Sequence, residues 1–313
     1  MQQVALGRSE LRVSRIGYGC WRLAGSEGMA APPDAMASGK RAVQAAVGEG
    51  FTLFDLADIY GGGRCEEIFG AALRESPGLR NRIVIASKCG IRKAGSPDPG
   101  SPYRYDSSAA HIASSVEASL RRIGVETLDL LMLHRPDYLM DPVEVAEAFV
   151  RLRDAGKVRE FGVSNFRPGQ LTALQKACPL PLVVNQVEIS LAHPGALEDG
   201  TLDQCLNGDI TPLAWSPLAR GVLVSNEPLE LDRPDHAARA ALSQALDDVA
   251  RARGVSRTSV ALAWLMTHPA RIVPVIGSVD PARIHDAAGA GEVVLERDDW
   301  YRLLTAARST RLP

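Results

Sequence analysis

Along the chain, short apolar runs alternate with longer stretches in which apolar residues recur every three or four positions. The runs fall at residues 16–21, 51–56, 82–88, 128–134, 158–165, 182–188, 210–216 and 272–278. Near-continuous apolar runs of this length suit strands buried on both faces, as in parallel α/β sheets. Helical spacing covers 34–47, 64–74, 111–123, 143–155, 168–177, 202–206, 237–253 and 256–267, and further helices start at Pro281 and run over 298–307. Ahead of the first run, Val4-Ala-Leu-Gly-Arg-Ser-Glu-Leu-Arg-Val13 reads as a hairpin turning near Gly7.

Eight strands separated mostly by helices predict an α/β chain of one architecture above others: a (β/α)8 TIM barrel with an N-terminal β-hairpin and long loops at the C-terminal face. A doubly wound sheet is the alternative. It is weakened because Ile16-Gly-Tyr-Gly-Cys-Trp21 lacks the third glycine of a dinucleotide fingerprint. No shift in composition marks a boundary, so 1–313 reads as a single domain. Residues 90–108, rich in Gly, Pro and Ser, read as a mobile loop, and 219–236 holds a second long one.

Composition narrows the partners. The 313 residues are 46% hydrophobic, enough for a large core, and the net charge of −2 argues against nucleic acid or an anionic membrane. No apolar run is long enough to span a membrane, and the first residues lack the apolar core of a secretory signal, so a cytoplasmic location is expected. Cys20, Cys65, Cys89, Cys178 and Cys205 are odd in number and show no CxxC spacing, which fits reduced thiols. The six histidines form no HExxH, and no metal site is expected.

The strand ends carry the chemistry. In order they offer Trp21, Asp55, Lys88, His134, Ser164-Asn165, Gln186, Trp215-Ser216 and Gly277-Ser278, with Tyr60 in a Gly61-Gly-Gly63 loop. Each has a bland explanation: Asp55 could cap the next helix, Lys88 could snorkel, and His134 could be a core histidine bonded to a carbonyl. In a barrel all these ends meet on one face, and packing alone would have filled them with aliphatics. Asp55 can pair with Lys88, and a charged lysine beside Tyr60 is expected to lower the phenol pKa, making Tyr60 a general acid. His134 can orient a carbonyl oxygen. A polarised carbonyl with a proton donor still needs an electron source, which implies a hydride cofactor. Ser164, Asn165 and Gln186 suit a carboxamide, and Trp215 offers a flat face for a ring.

These residues resemble the aldo-keto reductase family, in its bacterial oxidoreductase branch with an LLLHRPD-type histidine motif. The resemblance rests on Asp55-Leu-Ala-Asp-Ile-Tyr60-Gly, Ser87-Lys88, Leu133-His134-Arg-Pro, Gly162-Val-Ser-Asn165, Asn185-Gln186-Val-Glu188, Trp215-Ser-Pro-Leu218 and Ile276-Gly-Ser278 with Arg283, and it runs from about residue 12 to 290. It implies reduction of an aldehyde or ketone by the pro-R hydride of NADPH, with NADH as the alternative cofactor. It implies Asp55, Tyr60, Lys88 and His134 as catalytic tetrad, Tyr60 being the proton donor. Ser164, Asn165 and Gln186 would hold the nicotinamide carboxamide, Trp215 would stack on the ring, and Ser216 and Leu218 would follow the pyrophosphate. Ser278 and Arg283 would hold the adenosine 2′-phosphate, with Trp21 and Gly277 also at the cofactor. A monomer is the family default.

Two positions depart from the family pattern. Gly277 stands where a lysine is common, and Ala287 where an asparagine often touches adenine, so selectivity for NADPH rests on Arg283. Two other functions compete. A Schiff-base aldolase would need Lys88 neutral, which Asp55 opposes, and a nicotinamide-binding sensor with little turnover would have no use for the tetrad. The substrate would be chosen by the loops, with Tyr103, Arg104 and Tyr105 as a pocket lid. Arg135 would meet an anionic substrate or pair with Asp137.

Overall fold

The computed structural model describes residues 1–25, 32–225 and 236–308. Strands β1 (Gln3–Ala5) and β2 (Arg12–Ser14) form the expected antiparallel hairpin. The barrel strands follow as β3 (Gly17–Gly19), β4 (Leu53–Asp55) and β5 (Val84–Cys89), and β5 leads into a short antiparallel pair, β6 (Ile91–Arg92) and β7 (Arg104–Tyr105). They continue as β8 (Leu128–Leu133), β9 (Val158–Ser164), β10 (Leu182–Glu188), β11 (Thr211–Trp215) and β12 (Val273–Ile276). These eight barrel strands pair in parallel and close on themselves, β12 lying beside β3.

Helices cover the outside: α1 (Ala35–Gly48), α2 (Arg64–Arg74), α3 (Ala109–Ile123), α4 (Pro142–Asp154), α5 (Pro168–Ala177), α6 (Thr201–Gly208), α7 (His236–Arg253), α8 (Arg257–Thr267), α9 (Pro281–Ala288) and α10 (Arg297–Arg308). Caps set several starts: Ser108, Asp141, Ser256 and Asp280 each accept a backbone N–H of the first turn.

Alternation along the strands separates an outward-facing layer from the barrel interior. Phe54, Ile85, Leu131, Leu133, Phe161 and Val163 pack outward against the helices. Leu53, Val84, Ala86, Leu130, Met132, Val184, Leu213, Val273 and Val275 fill the barrel interior, together with Leu6 and Val13 of the hairpin. The hairpin seals the N-terminal end, where the strands begin. Gly7 N donates to Thr211 Oγ1, Ser14 N to Thr52 Oγ1, and the buried Arg15 guanidinium to Ile272 O and Met266 O. With that end closed, the polar strand ends meet at the opposite, C-terminal end.

Residues 90–108, expected as a mobile loop, hold the β6–β7 pair, pinned by an Arg92–Asp106 ion pair of 2.6 Å. Its composition hid this, because the pairing joins residues more than ten apart. Residues 226–235 of the second long loop lie outside the described residues.

Candidate active site

Two residues beyond the last apolar interior position of several barrel strands, the same parity turns one side chain toward the barrel mouth. Leu53 is followed in this way by Asp55, Ala86 by Lys88, Met132 by His134, Val184 by Gln186 and Leu213 by Trp215, whereas Gly277, two beyond Val275, brings no side chain to the mouth. Ser164 stands in the same relation to Gly162 on β9. A single periodicity therefore delivers the polar strand ends to one place.

There, Lys88 Nζ lies 2.7 Å from Asp55 Oδ1, 2.9 Å from Leu56 O and 3.1 Å from Tyr60 Oη. Lys88 is 1% exposed and Asp55 4%. Lys88 is thus ion-paired with Asp55 and donates hydrogen bonds to Leu56 O and Tyr60 Oη. Tyr60 sits on the turn Tyr60–Gly63, in which Gly61, Gly62 and Gly63 all take positive φ. His134 packs edge-on against the Tyr60 ring, centroids 5.7 Å apart. The four residues expected to carry the chemistry are thus in contact as a group.

Their charge states follow from burial and neighbours. Burial works to discharge Lys88, but Asp55 and Tyr60 outweigh it by charge and hydrogen bonding, and its pKa is raised. Burial together with Lys88 and Arg135 holds His134 well below its usual value, so the imidazole is neutral. Burial likewise raises the Tyr60 phenol, and Lys88 offsets this only in part. The lowered phenol pKa expected from the sequence is therefore corrected: desolvation outweighs the lysine, and Tyr60 keeps its proton at neutral pH. A charged Lys88 also leaves no free amine for a Schiff base.

Further round the mouth, Asn165 ties three strand ends together. Its Nδ2 donates to His134 O at 3.2 Å and Ser164 Oγ at 2.8 Å, while its Oδ1 accepts from Trp215 Nε1 at 3.0 Å. Asn165 takes φ +61° to do so, a conformation that asparagine tolerates better than most residues. Its amide donors are both used within the protein. Gln186 is buried and its Nε2 has no partner, which leaves an unused donor at the mouth. The His134 Nδ1 is also buried without a partner.

Trp215 and Ser216 are half-buried, and the Arg135 guanidinium lies 5.7 Å from the Trp215 ring centre. Arg135 does not pair with Asp137, which instead accepts from Ser107 N and Leu139 N as a loop cap. Leu218 leads into a 3-10 turn over Ala219–Val224. Trp21 lies in another such turn, Cys20–Arg22, near the Arg22 guanidinium. Tyr103 and Tyr105 meet edge-on, and Tyr105 meets Tyr138, whereas Arg104 turns back to Ser96 O and Pro102 O.

The expected phosphate end is open. Arg283 lies on the first turn of α9, largely exposed and 3.7 Å from Asp280. Ser278 Oγ accepts from Asp280 N, and Asp280 itself caps α9 through Ala282 N. A carboxylate thus already occupies the anion-favouring helix start. Ala287 is buried and contributes no polar group.

Three charged residues behind the tetrad were not singled out from the sequence: Asp58, Glu66 and Arg122. A signal existed for one of them. Glu66 shares the helical face of Phe69, Gly70 and Leu73, all buried, whereas Glu67 is exposed.

Comparison with known proteins places the chain in a family. The model of the aldo/keto reductase family matches residues 15–307. The chain belongs to the aldo/keto reductase family. It is 41% identical over 308 residues to a 6-dehydroglucose reductase of Agrobacterium fabrum, covering 98% of both chains. It is 42% identical over 314 residues to a protein of the same name from Novosphingobium aromaticivorans, covering 98% of this chain and 96% of that one. Among solved structures, a glycerol dehydrogenase from Gluconobacter oxydans superposes with a TM-score of 0.85 at 27% identity, over 99% of this chain and 97% of the other. As an aldo/keto reductase the chain is an NAD(P)H-dependent oxidoreductase acting on a small molecule, consistent with carbonyl reduction. Among the described residues no helix is long and apolar enough to cross a membrane.

Proposed function

We propose that this chain reduces a small aldehyde to an alcohol with NADPH, Tyr60 giving the proton. The observation that carries the reading is the buried Lys88 ammonium held between Asp55 and the Tyr60 hydroxyl, at 2.7 and 3.1 Å. The bound nicotinamide supplies the hydride. Tyr60, protonated because burial raises its pKa, donates to the carbonyl oxygen as negative charge grows there. Lys88 stabilises the phenolate left behind, and Asp55 keeps Lys88 charged. Neutral His134 orients the carbonyl by a hydrogen bond. Gln186 fits the carboxamide because its Nε2 is buried and unpaired, and Trp215 presents a ring face. The two relatives named 6-dehydroglucose reductases make a hexose oxidised to an aldehyde at C6 the first substrate to try.

Preference for NADPH rests on Arg283, opposed by Asp280. Trp215 fluorescence, titrated with NADPH and with NADH, tests both the site and the preference. NADPH is expected to quench at the lower concentration. Arg283→Ala should weaken NADPH about tenfold or more, the worth of a charge-assisted hydrogen bond, and leave NADH unchanged. Asp280→Asn should strengthen NADPH selectively. Tyr60→Phe should bind cofactor normally while kcat falls about 100- to 10,000-fold. Absence of quenching, or full turnover in Tyr60→Phe, would sink the proposal.

A further inference from the structure

Behind Tyr60 and Lys88 lies a charged cluster that the proposed reaction does not use. Glu66, in the first turn of α2, is 0% exposed. Its Oε1 accepts from Ser87 Oγ at 2.7 Å and its Oε2 from Arg122 Nε at 2.6 Å. Ser87 immediately precedes Lys88 on β5 and faces the opposite way. Arg122, near the end of α3, also reaches Ser119 Oγ and lies over Gly63, where an added Cβ would stand 2.7 Å from Arg122 Cδ. Gly63 is the last residue of the Tyr60–Gly63 turn. The loop before that turn is fastened to the same strand, Leu56 N donating to Ala86 O and Asp58 N to Lys88 O.

A carboxylate taken fully out of water costs several kcal/mol unless its partners are well placed, and apolar packing would serve stability as well. What an apolar residue would not do is join these elements at a defined distance. Glu66 holds the Lys88 strand through Ser87 and presses Arg122 onto the Tyr60 turn.

We propose that Glu66 is a positioning residue for the reaction: its carboxylate, held by Ser87 and Arg122, sets the turn bearing Tyr60 against the strand bearing Lys88. The proposal rests on the reading of Tyr60 as proton donor. Its lever is geometric, since a displacement of about 1 Å at a reacting group costs about 100-fold in rate.

The test compares the wild type with Glu66→Ala, Glu66→Gln, Ser87→Ala and the Glu66→Ala/Ser87→Ala double variant. Steady-state kinetics with NADPH and an aldehyde are read beside an ultraviolet titration of the Tyr60 phenol, taken as the difference from Tyr60→Phe. In Glu66→Ala, kcat is expected to fall about 10- to 100-fold, with the carbonyl KM and cofactor affinity held within about twofold. Glu66→Gln, which can still accept from Arg122 and donate to Ser87, should recover most of the rate. Ser87→Ala should lose rate in the same direction, and the double variant should be no worse than Glu66→Ala. The Tyr60 phenol should titrate at higher pH in Glu66→Ala as its contact with Lys88 loosens. Should Glu66→Ala fail to fold, Ser87→Ala carries the same comparison with a smaller change. A lowered melting temperature with unchanged kcat and phenol titration would overturn the proposal. A wild type without turnover would instead overturn the reductase reading, and the phenol titration would still judge the role of Glu66.

Discussion

Asp58 holds its proton far more tightly than an ordinary carboxyl: burial first, then the neighbouring Glu66, raise its pKa from 3.8 to about 7, against Ser115, Arg122 and the Ile59 N–H. Because the folded pKa is raised, the folded state binds the proton where the unfolded chain has lost it. Its contribution to stability is therefore present at low pH and is lost as pH rises from about 4 to about 7. Asp58→Asn removes that loss, so the variant should melt higher than the wild type at pH 8 and show little difference at pH 4. Equal shifts at both pH values would refute the assignment. His134 acts in the opposite sense. Its folded pKa is depressed, so the unfolded chain takes up a proton below 6.5 that the folded chain refuses, and stability falls as pH drops below that value. The Asp55–Lys88 pair was readable at this scale, since a buried lysine and a buried acid at neighbouring strand ends have few other partners. The direction of the Tyr60 shift was not, because it depends on how completely the phenol is desolvated.

At the scale of elements, parity explains why the strand ends could be listed in advance. Once an apolar run is placed in register, its inward positions are set two apart, and the first polar inward residue must face the mouth. Helix packing left subtler traces. In α2, Gly70 is buried, and a Cβ there would stand 2.3 Å from Ile123 O and 2.9 Å from Arg122 O. Alanine normally gains about 1 kcal/mol over glycine inside a helix. Here the obstacle is backbone, which cannot turn aside, and overpacking costs about 1–3 kcal/mol. Gly70→Ala is accordingly expected to destabilise in urea melts, by moving α2 away from the end of α3. A stabilised variant would show that the two helices can separate freely. The boundaries of α2 and of β9 to β10 matched the sequence pattern closely, whereas the β6–β7 pair did not, being a contact across a loop with no apolar alternation to announce it.

For the molecule as a whole, the barrel divides labour between its ends. The N-terminal end is plugged by the hairpin and by apolar interior layers, and the C-terminal end carries the buried Asp55–Lys88 pair with Tyr60 and His134. Leu213, 0% exposed in that interior, anchors the layer beneath Trp215. Leu213→Ala should cost about 2–5 kcal/mol by deleting packed methyl groups and leaving a cavity. Far below its melting temperature the variant should retain cofactor quenching of Trp215, because stability and chemistry occupy different layers. A loss of quenching in a fully folded variant would contradict that division.

The order of apolar runs and helical stretches was enough to determine the barrel, its hairpin and the set of polar strand ends, because local periodicity dictates which side chains leave water. Tertiary structure alone decided what those ends do to one another. It joined Glu66, Ser87 and Arg122 from three separate elements, spent the Asp299–Arg253 and Arg80–Asp129 pairs on holding the outside together, and turned Asn165 into a tie between strands. Such distances and the desolvation that accompanies them arise only when distant segments are packed, and no stretch of sequence contains them.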